Sequence, residues 1–106
     1  MKTSVEIIFV TFDSEPEAVE VVRNLVEEGL VACASVIPKI RSIYHWNGRV
    51  EDQEEVMVML KTRDSLSSSV ITSLVDAHSY HNPEVLKIAV DGGSESYLDW
   101  IRGATQ

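Results

Sequence analysis

The chain has 106 residues, of which 44% are apolar and 25% charged, and 9 Lys and Arg stand against 17 Asp and Glu for a net charge of −8. That length suits one domain over residues 1–106 and is too short for two, while the apolar share supplies a core and excludes a disordered chain. An acidic field repels phosphate backbones, and the basic residues are scattered singly, so no nucleic-acid partner is expected.

Val5 to Phe12 is nearly all apolar and rich in β-branched residues, which predicts a strand covered on both faces. Ser14 followed by Glu17 reads as a capping box, and Pro16 is tolerated in a first helical turn. Ala18, Val21, Val22, Leu25 and Val26 then recur at helical spacing, and Gly29 is a stop. Val31 to Trp46 reads as two strand-like halves around Pro38, and Asn47-Gly48 is the strongest short hairpin signal. The return limb, Arg49 to Thr62, opens on the polar run Glu51–Glu55, expected as a solvated ribbon edge, and continues as the apolar run Val56–Leu60. A second helix is predicted from Asp64 as its N-cap, with Leu66, Val70, Ile71, Leu74 and Val75 on one side, ending near His78. After Pro83 come a strand, Val85 to Val90, a turn at Gly92-Gly93, and a short helix capped by Ser94 that presents Tyr97, Leu98 and Ile101.

The order β-α-β-β-α-β-α is, in its first six elements, the split βαβ pattern: an α+β, ferredoxin-like sandwich with a long hairpin between the second and third strands. Both main helices are expected on one sheet face, leaving the other bare. The first strand, the Val56–Leu60 run and the last strand all read as apolar on both sides, so something must cover that face. Fifteen residues from Ala32 to Trp46 would reach about 50 Å as a straight strand, against a globule diameter of roughly 35 Å. The hairpin must therefore bend, bulge at Pro38 or project onto another subunit, and an oligomer is expected. Tyr44 and Trp46 alternate along the ribbon, share a face and suit an intersubunit contact.

His78-x-x-His81 leads into Asn82-Pro83-Glu84. Two imidazoles at that spacing can meet one Cu²⁺, Zn²⁺ or Ni²⁺ where the backbone turns, with Glu84 adding oxygen. They read equally as helix-end side chains bonded to the last carbonyls. Cys33, the one cysteine, excludes an internal disulfide, suits a reducing compartment and reads as a packed thiol. His45 reads as an exposed residue beside the hairpin turn. Phosphate-loop, dinucleotide, nucleophile-elbow and HExxH motifs are missing, so neither an enzyme nor an organic cofactor is expected. The N-terminal Met1–Glu6 stretch carries a glutamate, and no run approaches the ~18–20 apolar residues of a membrane span, so a soluble cytoplasmic protein without a membrane partner is expected.

Taken together, Leu25-Val26-Glu27-Glu28-Gly29-Leu30-Val31-Ala32-Cys33-Ala34, Ile37-Pro38, Ser42-Ile43-Tyr44-His45-Trp46-Asn47-Gly48, Glu54-Glu55-Val56, Leu60-Lys61-Thr62-Arg63, His78 to Glu84 and Tyr97-Leu98-Asp99-Trp100-Ile101 resemble the CutA divalent-cation tolerance family from Val5 to Ile101. The resemblance implies a tight homotrimer, similar in architecture to the PII signalling trimers. It also implies a cytoplasmic, non-enzymatic role in tolerance of copper and other divalent cations. It marks His78, with His81 and Glu84, as metal candidates, so that His78→Ala is expected to lower copper affinity at least tenfold. Two departures stand out: Ser79 replaces a proline of the family's segment with His81 added, and the first-strand cysteine of some bacterial members falls near Val10. By analogy with PII trimers, Trp46, Lys61 and Tyr80, with Cys33 and Glu84, are candidates for an intersubunit ligand cleft serving a small molecule or protein.

Overall fold

Strands β1 (Val5–Phe12), β2 (Cys33–Trp46), β3 (Arg49–Arg63) and β4 (Val85–Ala89) alternate with helices α1 (Glu15–Glu27), α2 (Ser67–Ala77) and α3 (Glu95–Gly103) in a computed structural model that describes residues 3–106. The four strands form one sheet in the order β2-β3-β1-β4, every neighbouring pair antiparallel. This is the predicted α+β, ferredoxin-like arrangement.

Ser14 caps α1, its Oγ accepting from the Glu17 N–H at 3.3 Å. Only half of the capping box forms, because the Glu17 carboxylate accepts instead from the Ser79 N–H and hydroxyl, both at 2.9 Å. A forked pair of donors thus ties α1 to the segment after α2. Gly29, at φ +73°, ends the turn beyond the helix in the conformation that a Cβ disfavours.

Asp64 is not the N-cap of α2. Its N–H is taken by the Ser4 carbonyl at 2.9 Å, Asp64–Leu66 form a single 3-10 turn, and α2 begins at Ser67. Ser67 is fully buried and its hydroxyl donates to Glu6. Ser94 starts α3 without a side-chain cap bond; its hydroxyl pairs with that of Ser96.

The hairpin both bulges and projects. Pairing runs from Cys33↔Lys61 to Ile37↔Met57, then resumes at Ile40↔Glu55, so Pro38 and Lys39 stand opposite Val56 alone. Pro38 has no N–H to give a ladder, and β2 is a sheet edge, where that loss is tolerated. Beyond the bulge the ribbon continues to Trp46↔Arg49 and turns through Asn47 (φ +53°) and Gly48 (φ +75°), as a type I′ turn requires. The molecule measures 43 × 27 × 22 Å, and its radius of gyration of 14.4 Å exceeds the ~13 Å of a globule this long.

Ile8, Val10 and Phe12 of β1 and Val56, Val58 and Leu60 of β3 face the helices and meet Ala18, Val22 and Leu25 of α1 and Val70 and Leu74 of α2. The opposite sheet face carries Ile7, Phe9, Met57, Met59, Leu86 and Ile88. Helix α3 covers one end of the molecule, packing Leu98 and Ile101 with Val5 and Ala32. The rest stays open, with Leu86 60% and Ile88 51% exposed. The last strand is apolar on both sides, Val85 packing against the helix-side core, except at Lys87, which points to the helix side and pairs with Glu6 at 3.4 Å.

Candidate functional site

His78 stands where the chain leaves α2 in an extended conformation, and its ring stacks on Phe12 with centroids 4.5 Å apart and planes within 6°. Nε2 lies 2.6 Å from the Thr11 carbonyl oxygen, and Nδ1 lies 3.1 Å from the Tyr80 amide nitrogen. A carbonyl only accepts and an amide N–H only donates, so Nε2 carries the proton and Nδ1 the lone pair. Both nitrogens are therefore engaged within the protein. A cation at His78 would have to displace one bond or the other, so this ring does not fit the role of ready ligand. What it does is fasten residues 78–80 to the end of β1.

The fastened loop forms one wall of a cleft of about 730 Å³. Tyr80, His81, Asn82, Pro83 and Glu84 line that side; Tyr44, Trp46, Gln53 and Glu55 line the other. The hairpin register explains the second wall: Tyr44↔Glu51 and Trp46↔Arg49 are two pairs beyond Ile40↔Glu55 and Ser42↔Gln53, all on the same ribbon face. Across the cleft, the Tyr80 hydroxyl donates to Glu55 Oε2 at 2.7 Å. Burial first, then the bond to Glu55, hold that hydroxyl far above the usual tyrosine range. The Tyr44 hydroxyl donates to Gln53 at 3.1 Å, and Arg41, at the cleft margin, makes a two-pronged contact with Asp52 at 2.8 and 2.7 Å.

His81 and Glu84 are exposed and line the same cleft. They are the sequence-predicted metal candidates left with outward-facing donors, and among the described residues no group of three or more His, Cys, Asp and Glu is gathered for a metal ion. Of the cleft candidates, Trp46 and Tyr80 come together with Glu84. Cys33 and Lys61 do not join them within one protomer. They are cross-strand partners twelve positions along β3 from Arg49, about 40 Å of extended chain. Lys61 Nζ donates to Ser35 Oγ at 2.8 Å, and Cys33 Sγ lies 3.7 Å from the Tyr97 hydroxyl. His45 is exposed near the hairpin tip. Sequence reasoning missed Glu55: it belongs to an acidic run expected in solvent, yet it is only 6% exposed. Its place immediately before the apolar run, on the same ribbon parity as Tyr44 and Trp46, was the available signal.

The sequence model of the CutA1 divalent ion tolerance protein family matches residues 6–104. Protein CutA of Homo sapiens is 40% identical over 97% of this chain, which spans 58% of that relative's length. The divalent-cation tolerance protein CutA of Thermus thermophilus is 33% identical over 94% of this chain and 97% of its own. Among solved structures, CutA from Xylella fastidiosa superimposes with a TM-score of 0.93 at 34% identity, covering 97% of this chain and 99% of its own. The chain belongs to the CutA1 divalent ion tolerance family.

Proposed function

We propose that this member of the CutA1 family is a homotrimeric, non-enzymatic protein of the cytoplasm that meets divalent cations, copper first among them. The observation that carries the cation reading is the family match over residues 6–104, with two exposed donors, His81 and Glu84, on one loop. An imidazole nitrogen and a carboxylate oxygen suit Cu²⁺, which heads the affinity order of first-row divalent ions. His78 serves that loop by holding it, through Thr11 and Tyr80, and gives the cation no free nitrogen until one of those bonds opens.

The trimer reading is supported by the open apolar sheet face and by the projecting ribbon, on which Tyr44 and Trp46 remain partly exposed. Soluble monomers rarely leave so continuous an apolar face in water. A single free thiol, Cys33, suits a reducing compartment.

A competitive Cu²⁺ titration near neutral pH on the wild type and His81→Ala, with mass measured on the same samples, tests both parts. One saturable site per subunit, in a particle three times the 11.8 kDa protomer, with affinity lowered at least tenfold by His81→Ala, is the expected result. Weak binding indifferent to the substitution would overturn the copper site. A mass of one protomer would overturn the trimer and leave the copper question separate.

A further inference from the structure

Glu17 is the third residue of α1, and its own N–H is held by the Ser14 hydroxyl. Its carboxylate forms no ion pair among the described residues. Both oxygens are taken by Ser79, whose N–H donates to Oε2 and whose hydroxyl donates to Oε1, each at 2.9 Å. The contact is exposed to solvent, so it adds nothing to the buried core. Hydrogen bonds to an ionised carboxylate are about twice as strong as neutral ones, and two donors on one carboxylate fix direction as well as distance.

The fork completes a series at the exit of α2. The His78 N–H goes to the Val75 carbonyl at 3.4 Å, the Ser79 N–H to Glu17, and the Tyr80 N–H to His78 Nδ1 at 3.1 Å. Of these three donors, only that of Ser79 meets a charged group. His81 lies two residues further on, within about 7 Å of chain, and Glu84 follows across Pro83, whose ring fixes one more dihedral. A cation that takes both donors orders the loop between them, and a loop already held at its root loses less freedom on binding.

We propose, on the copper reading of those two donors, that Glu17 is a positioning residue: through Ser79 it sets the loop carrying His81 and Glu84, so that cation affinity is governed from α1. Glu17 is not itself a ligand, because Ser79 occupies both of its oxygens.

Hydrogen exchange and Cu²⁺ titration of the assembled protein test this on wild type, Glu17→Ala, Ser79→Ala and the double variant. Glu17→Ala should speed exchange of the Ser79 and Tyr80 amides at least tenfold, while the amides paired between β1 and β3 keep their rates. Cu²⁺ affinity should fall about tenfold in Glu17→Ala and about threefold in Ser79→Ala, and the double variant should match Glu17→Ala because the two side chains act as one unit. The electron paramagnetic resonance of bound Cu²⁺ should broaden in Glu17→Ala, since a released loop offers the ion several geometries. Tighter binding in Ser79→Ala would make Glu17 a ligand and overturn the proposal. Unchanged exchange at residues 79 and 80, or faster exchange with copper affinity and spectrum unmoved, would overturn it equally. Wild type that bound no Cu²⁺, or His81→Ala that bound it as tightly, would overturn the copper reading itself and the cation role of Glu17 with it.

Discussion

Tyr80 shows how one hydroxyl can hold a cleft together. Its bond to Glu55 closes the gap between a loop and a ribbon that are 25 residues apart in sequence. Tyr80→Phe removes the donor and leaves a nine-tenths buried carboxylate short of its partner, at an expected cost of about 1–2 kcal/mol in thermal or chemical unfolding. The pH dependence has a definite sign. The folded protein holds the Tyr80 proton more tightly than the unfolded chain does, so this contribution is complete below pH ~10, the unfolded value, and declines as pH rises further. Wild type should therefore lose its margin over Tyr80→Phe in strongly alkaline solution and keep it near neutrality. A constant difference across that range would show that the hydroxyl is not the source. None of this was legible from composition. The HxxH spacing drew attention to the correct segment, but the partners that decide what His78 does are a carbonyl 67 residues away and the amide of Tyr80, and a backbone carbonyl carries no signature in side-chain sequence.

Elements were far more legible than contacts, because periodicity and turn chemistry act locally. The Asn47-Gly48 turn and the alternation of Tyr44 and Trp46 follow from backbone geometry that neighbouring residues dictate. The start of α2 was misplaced because the chain first winds a single 3-10 turn over Asp64–Leu66, its first N–H bonded to the Ser4 carbonyl, before the α-helix begins at Ser67. The Glu17 carboxylate was diverted from its capping box by a tertiary partner, Ser79. The β2 bulge is the sharpest case. Pro38 announced an irregularity, while the strained residue is Lys39, at φ +61°. A β-branched side chain there cannot relax, so Lys39→Val should destabilise the protein by about 1–2 kcal/mol. Lys39→Gly should remain within about 0.5 kcal/mol of wild type, because relief at positive φ opposes the added freedom of the unfolded chain. Equal unfolding midpoints for the two variants would mean that the bulge bears no strain.

At the scale of the whole molecule, the sheet has more apolar surface than its own helices can cover. That imbalance was visible in the sequence, where β1 and the Val56–Leu60 run lack polar alternation, but the share taken by α3 was not. Leu98 and Ile101 close only the end near Val5 and Ala32, leaving Ile7, Phe9, Leu86 and Ile88 along the open side. Covering the exposed half of Leu86 or Ile88 is worth about 1 kcal/mol for each side chain, and a symmetric assembly collects that gain in every subunit. A charge placed on the same face reverses the balance, since burial would strand it without a partner. Ile88→Glu lies on β4, the outer strand opposite β2, where the protomer core is not disturbed. It should therefore yield a folded particle of one 11.8 kDa protomer, and its melting temperature should no longer rise with protein concentration. Leu86→Glu, two residues earlier on the same face, should behave alike. If light scattering found both variants still assembled at the wild-type mass, contact between subunits would have to run through the projecting ribbon with the sheet face left in water.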